Sequence, residues 1–258
     1  MDEAAIKDAI LYCSILDGYG DYDLIIEKAR EVLSELPTHR LALVFLCHAQ
    51  HSLGLYEELR ETAQFAIKHH PQRASFYHYL YIYYLYVGGE KYIEALRAIR
   101  EAIRLSPENA IYYSELGEVY LINWEPEKAR QALREAYRLK PNDAIIMSRL
   151  GLAELRCGNM DEAFNLARSA LARFSDKAWV YNNVGQIYLF SGNLDEAEEH
   201  LHQAVQKCPK DEYFQRQLLT CKKEQENKKQ RLSQGLEYVP LVRRQKGTKR
   251  FFDEEVGS

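Results

Sequence analysis

Prolines recur along this chain at a fixed interval. Pro37 and Pro71 stand 34 residues apart, as do Pro107 and Pro141; a further 34 reaches Ser175, and another reaches Pro209. The step from Pro71 to Pro107 is longer by two residues and holds Gly88-Gly89. Proline cannot continue a helix, because it lacks the N–H donor and its ring collides with the preceding turn. A chain punctuated this way builds neither one long helix nor one closed globule. A period of this length means one supersecondary unit per copy, each stacked on its neighbours. Six copies fit between residues 6 and 209.

Each copy reads as helix, glycine-containing turn, helix, proline. The fifth has Leu150-Gly151 within its first helix, Gly158-Asn159 at the turn, and Ala163, Ala167 and Ala170 along the second helix. The sixth repeats this with Val184-Gly185, Tyr188, Gly192-Asn193, Ala197, Leu201, Ala204 and Pro209. The fourth has Leu116-Gly117, Tyr120, Ala129, Leu133, Ala136 and Pro141. This pattern resembles the tetratricopeptide repeat. The resemblance implies an all-α, right-handed α-solenoid of antiparallel helical hairpins.

The small residues explain themselves physically. Gly117, Gly151 and Gly185 occupy the slot where paired helices cross, and Ala95, Ala129, Ala163 and Ala197 face them from the second helices. In the first two copies that slot holds Cys13 and Cys47, and in the third Tyr81. A tyrosine there predicts a splayed or rotated hairpin. The fourth copy has Trp124 where the turn glycine belongs, followed by Glu125-Pro126. Proline suits the first turn of a helix, so that hairpin is expected to survive. Asn109, Asp143 and Asp176 are positioned as helix caps.

The domain reading is a six-hairpin array over 6–209, a capping helix over 210–232, and a basic and aromatic tail over 233–258 that is either flexible or docked. Hydrophobic residues make up 47% of the chain, enough for a continuous core, and the formal net charge is −4. Residues 222–250 hold ten Lys/Arg against three Glu, so the array ahead of them is acidic. The acidic start Met1-Asp2-Glu3 does not read as a signal peptide. No apolar run reaches the roughly 18 residues that a membrane span needs. Five cysteines without CxxC spacing fit free thiols in a reducing cytoplasm.

No nucleophile–base motif, phosphate-binding glycine loop or metalloprotease pattern is present. The sequence therefore reads as non-catalytic, with no cofactor. His48, His51 and His78 lie near one another in the repeat alignment, but their spacing alone does not make a zinc site, and no metal is expected. Arg100, Arg134 and Arg168 form a ladder at the repeat period, as do Arg104 and Arg138. With Glu101 and Glu135 alongside, this reads as a salt-laced outer face.

In repeats of this kind the first helices line the concave side. Aligning the copies places there Leu41, Val44 and His48; His78, Ile82 and Leu85; Ile111, Ser114, Glu118 and Leu121; Ile145, Ser148, Arg149, Leu152 and Leu155; and Trp179, Asn182, Asn183, Gln186 and Leu189. The groove is apolar and lacks the lysines of a carboxylate clamp. It suits a partner peptide or amphipathic helix. The third copy crowds seven aromatics, Phe76, Tyr77, Tyr79, Tyr81, Tyr83, Tyr84 and Tyr86, which cannot all face one core. In the tail, Tyr238, Leu241, Arg243, Arg244, Phe251 and Phe252 are candidates for docking on the array itself or on a neighbouring copy.

The function read from the sequence is a cytoplasmic scaffold or chaperone-like adaptor that binds another protein. The alternative is a nucleic-acid or anionic-surface adaptor working through 222–250, which the overall charge balance disfavours.

Overall fold

The computed structural model describes residues 2–87 and 91–240. Among them every regular element is an α-helix, with no strand. The helices pair in chain order: α1 (Glu3–Tyr19) with α2 (Tyr22–Glu35), and α3 (Arg40–Ser52) with α4 (Tyr56–His69). Next come α5 (Ala74–Val87) with α6 (Tyr92–Leu105), and α7 (Ala110–Ile122) with α8 (Pro126–Leu139). Then follow α9 (Ala144–Arg156) with α10 (Met160–Arg173), α11 (Ala178–Ser191) with α12 (Leu194–Lys207), and finally α13 (Glu212–Ser233). The chain is an all-α helical-repeat solenoid.

The period sets the geometry. Each second helix ends two residues before Pro37, Pro71, Pro107, Pro141, Ser175 or Pro209. The turn between paired helices carries one left-handed residue: Gly20 (φ 74°), Gly54 (φ 72°), Trp124 (φ 59°), Gly158 (φ 92°) and Gly192 (φ 91°). Trp124 therefore adopts the glycine conformation at the glycine position, and α7 and α8 form on either side of it. The third turn, with Gly88-Gly89, lies outside the described residues.

Capping follows the short polar residues. Asp143 accepts from the Ile145 and Ile146 amides at 3.0 and 3.2 Å, and Asp211 does the same for Tyr213 and Phe214 at 2.9 and 3.2 Å. Asn109 accepts from the Ile111 amide at 3.0 Å. Asp176 does not cap: Lys177 stands at the N-cap of α11, and Asp176 pairs with that lysine at 2.8 Å.

Packing divides the chain into two compact units, Met1–Tyr112 and Tyr113–Ser258. The core of the first unit gathers Cys13, Leu16, Ile25, Ile26, Ala29, Val32, Ala42, Leu46 and Ala49 from α1, α2 and α3. Cys47 is fully enclosed, and its burial raises the thiol's pKa well above the ordinary value. The hairpin α5–α6 does not splay. Tyr81 is 1% exposed with its ring stacked on His78 at 6.0 Å, and α5 and α6 stay in extensive contact. The phenol lies along its helix instead of prying the pair apart.

In the second unit glycines hold the crossings. A Cβ at Gly117 would lie 2.4 Å from Leu133 Cγ, and one at Gly185 would lie 2.6 Å from Leu201 Cγ. Gly151 is less tight, with Ile187 Cδ1 at 3.0 Å and the Ala163 carbonyl at 3.3 Å. After the last hairpin, α13 sets Phe214 against Ala178 and Ala204, and Cys221 against Leu189, Leu194, Ala197 and Leu201.

Candidate partner-binding surfaces

In the second unit, one residue in the first turn of each first helix is large, apolar and exposed. Ile145 on α9 is 38% exposed, and Trp179 on α11 is 40% exposed. One more period leads to Tyr213 on α13, 38% exposed, with its ring stacked on Trp179 at 5.7 Å. Phe214 meets the same indole edge-on at 4.7 Å. α13 thus presents a residue in register with the first helices. The sequence reading omitted Tyr213, although adding 34 to Trp179 finds it.

A polar seam lies alongside this ladder. The Arg149 guanidinium donates to Ser114 Oγ at 3.0 Å and pairs with the Glu118 carboxylate. Burial raises the Glu118 pKa and outweighs the lowering from Arg149; Glu115 adds a further upward push. Asn183 Nδ2 donates to Ser148 Oγ at 2.9 Å, and Gln186 Nε2 donates to the Tyr213 hydroxyl at 3.0 Å. Burial also raises the Tyr213 pKa. These bonds tie α7, α9, α11 and α13 together, which rigidifies the surface that the ladder stands on.

Several expected groove residues are enclosed instead. Ile82, Leu121, Leu152, Leu155, Asn182, Gln186 and Leu189 are all buried. Leu189, for example, packs into the cluster of Leu194, Ala197 and Leu201. The alignment counted too wide a face. Some of these turn toward the paired helix, as Leu189 does, and others toward the next first helix, as Gln186 does toward Tyr213 on α13. Ile145 and Trp179 are open, and Glu118 and Arg149 are half-buried.

In the first unit, Leu41 is 40% exposed, and Val44, His48, His78 and Leu85 are half-buried; Ile111 is 50% exposed. Leu41 lines a hollow of about 410 Å³ together with Ile6, Ile10, Leu11, His39 and Phe45. His48 Nδ1 lies 2.8 Å from Asp17 Oδ1. Of the seven clustered aromatics, Phe76, Tyr81 and Tyr83 are buried, and Tyr77, Tyr79 and Tyr84 are half-buried. Tyr86 is 58% exposed and stacks on Tyr56 at 4.9 Å. The buried Tyr83 hydroxyl donates to Glu57 at 3.2 Å and accepts from Arg60 at 3.4 Å and Lys91 at 3.3 Å.

The arginine ladder is paired. Arg104 bonds Glu101 at 2.7 Å, Arg138 bonds Glu135 at 2.7 Å, and Arg168 bonds Asn165 at 2.8 Å. Arg134 reaches the buried Glu154 carboxylate at 2.7 Å. Among the described residues no group of three or more His, Cys, Asp or Glu side chains is placed to hold a metal ion. No described helix is long and apolar enough to cross a membrane. Of the tail candidates, Tyr238 packs on the cluster of Leu189, Leu194, Ala197, Leu201 and Cys221. Leu241, Arg243, Arg244, Phe251 and Phe252 lie outside the described residues.

Comparison with known proteins agrees with this architecture. Tetratricopeptide repeat models match residues 84–144 and 142–210. No curated protein matches the chain. Among solved structures, MamA aligns at 25% identity and TM-score 0.55, over 67% of this chain and 94% of its own. MamA 41-end from Desulfovibrio magneticus RS-1 aligns at 18% identity and TM-score 0.57, over 67% of this chain and 96% of its own. YrrB, described as a tetratricopeptide protein with an unusual peptide-binding site, aligns at 22% identity and TM-score 0.54, over 76% of this chain and 97% of its own.

Proposed function

This chain is a tetratricopeptide-repeat protein, and from that premise we propose that it is a non-catalytic scaffold whose second unit receives an amphipathic helix of a partner protein. Repeats of this family are protein-interaction modules, and the peptide-binding site of YrrB supports that class of role. The observation that carries the finer reading is the exposed ladder Ile145–Trp179–Tyr213, one residue per repeat. Packed helices lie roughly 8–10 Å apart, which is about two turns of an α-helix. A helix laid across α9, α11 and α13 with apolar residues at i, i+7 and i+14 puts one on each rung. Tryptophan and tyrosine are the side chains that most often anchor such contacts. Arg149 and Glu118 provide a polar margin beside the rungs. An adaptor or chaperone-like role in the cytoplasm follows if the captured segment belongs to a client held out of its assembly.

The test is an immobilised array of amphipathic helical peptides, probed with the intact chain and with a Trp179→Ala/Tyr213→Ala variant. Both side chains keep an exposed face, but Tyr213 also accepts the Gln186 hydrogen bond, so helical circular dichroism of the variant is measured alongside. Each anchor is worth about 2 kcal/mol in a desolvated contact, so peptides bound by the intact chain should be lost by the variant. Peptides held equally by both proteins exclude the ladder as the site. Binding that falls steeply with salt would instead assign the activity to the basic segment 222–250.

A further inference from the structure

The chain does not leave the second unit at the end of α13. Gly235 takes the left-handed conformation (φ 73°), its amide bonds the Leu232 carbonyl at 3.0 Å, and the Leu236 amide bonds the Arg231 carbonyl at 2.9 Å. This closure reverses the chain. Arg231 Nε then donates to the Glu237 carbonyl at 2.9 Å, which holds the returning segment beside α13. Leu236 and Glu237 are exposed, but Tyr238, Val239 and Pro240 are half-buried.

The seat beneath these three residues is specific. The Tyr238 ring rests on the cluster of Leu189, Leu194, Ala197, Leu201 and Cys221. Its hydroxyl donates to Glu224 Oε2 at 3.4 Å, and Lys228 Nζ stands over the ring at 5.6 Å. Pro240 lies on the α11–α12 turn. A Cβ at Gly192 would meet Pro240 Cγ at 2.9 Å and Tyr238 Cε1 at 3.4 Å. Gly192 is thus required twice, once for its φ of 91° and once for its missing side chain. The turn glycines of the first two hairpins differ: a Cβ at Gly20 or Gly54 would meet only the ring of the tyrosine two residues on, at 3.9 Å. A flat aromatic, a spacer and a proline ring on bare backbone are complementary to this surface, and the aromatic and the proline each have their own partners.

We propose that the face between the α11–α12 turn and α13 is a binding site for an extended tyrosine–X–proline segment, filled in this chain by its own Tyr238–Val239–Pro240. The site is separate from the Ile145–Trp179–Tyr213 ladder and does not rest on it. A segment tethered a few residues from its seat acts at an effective concentration on the order of millimolar. The strap therefore holds the site against weak competitors and yields only to a tighter matching segment.

Cys221 serves as a reporter of occupancy. It is fully enclosed within the cluster on which Tyr238 packs, its thiol donates toward the Leu194 carbonyl at 3.5 Å, and burial pushes its pKa up to about 12. Few thiolates form while the strap is seated, so alkylation reads its opening. The experiment is maleimide labelling of the full chain, quantified on the Cys221 peptide by mass spectrometry. Tyr238→Ala should raise the Cys221 rate about tenfold or more. Adding a synthetic peptide spanning Gln234–Pro240 to that variant should restore protection. Pro240→Ala, which leaves the Tyr238 contacts in place, should move the rate in the same direction and covers a loss of folding in the first variant. An unchanged rate in both variants overturns the proposal. So does a raised rate that the peptide does not reverse, because the strap would then be packing without a site. Wild-type protection that appears only at high protein concentration would overturn occupancy by the chain's own strap in favour of a second copy's.

Discussion

The two units solve the same crossing problem with different side chains. In the second, Gly117 and Gly185 let a leucine of the paired helix come within 2.4–2.6 Å of where a Cβ would stand. In the first, Cys13, Cys47 and Tyr81 fill the equivalent positions and are themselves buried. The second unit also encloses polar groups, among them Ser148, Glu154, Asn182 and Asn183, whereas among the described residues of the first unit Gln50 is the enclosed amide or charged side chain. The first unit's interior is apolar and aromatic apart from Gln50 and the buried Tyr83 hydroxyl, which bonds Glu57, Arg60 and Lys91. A fixed seam specifies one arrangement of helices, and the exposed ladder stands on it.

Buried charge is where the contrast should be largest. Glu154 is 1% exposed and is held by Arg134 at 2.7 Å and Asn159 at 2.6 Å, with Arg130 farther away at 3.9 Å. Removing Arg134 leaves a buried carboxylate short of its main partner, which costs about 3 kcal/mol or more. Arg134→Ala should therefore lower the urea midpoint sharply. Arg104→Ala in the first unit breaks only an exposed pair with Glu101 and should leave the midpoint where it is. Equal shifts would show that the enclosed Glu154 carboxylate contributes nothing special to the second unit.

Exchanging the crossing residues should have a smaller effect. Gly185→Cys forces a side chain against Leu201, whose backbone nitrogen is also only 3.1 Å from the new Cβ. Overpacking of this kind costs about 1–3 kcal/mol. The reverse exchange, Cys47→Gly, loses a buried thiol and adds the helix penalty of glycine, about 1 kcal/mol. Thermal melts of the two variants check the order. If Gly185→Cys is neutral, the second unit has slack at its crossings and the comparison fails.

The fold was legible because the period is a backbone constraint. Prolines, turn glycines and crossing glycines each act through conformation or through the absence of atoms, so their spacing alone sets where helices start, stop and touch. Tyr81 shows the limit of that logic. Its size argued for a splayed hairpin, but a long side chain can lie along its own helix, and which way it lies depends on neighbours such as His78. The candidate site was half legible. Ile145 and Trp179 are exposed, while Leu152 and Leu155 on α9, assigned to the same groove, are buried. Position along a helix fixes the face only to within a turn. Tyr213 was missed because α13 was read as a cover for the last hairpin and not as one more first helix. The strap was legible only as composition: nothing in Tyr238-Val239-Pro240 alone names Gly192 as its seat.

The smallest effect is expected at Trp124, where both of its causes can be separated. Its left-handed backbone (φ 59°) costs a residue with a side chain roughly 1–2 kcal/mol. In return the indole holds the Arg156 guanidinium at 4.2 Å, and Phe190 meets it edge-on at 5.9 Å while also facing that guanidinium at 4.8 Å. Arg156 in turn donates to the Leu121 carbonyl at 2.6 Å, which fastens α9 to the end of α7. A cation–π contact is worth about 0.5–2 kcal/mol and an aromatic pair about 0.5–1.5 kcal/mol. Trp124→Gly removes the strain and the stack together, so the terms nearly cancel, and the net change should be within about 1 kcal/mol. Arg156→Gln keeps the strain and the Trp124–Phe190 pair but removes the cation–π contacts and the bond to the Leu121 carbonyl, so it should be the more destabilising of the two. Denaturant titration of both variants separates the terms. If Trp124→Gly is the worse variant, the indole makes contacts beyond the stack that outweigh its backbone strain, and the second unit's one non-glycine turn is a gain in stability instead of a balance.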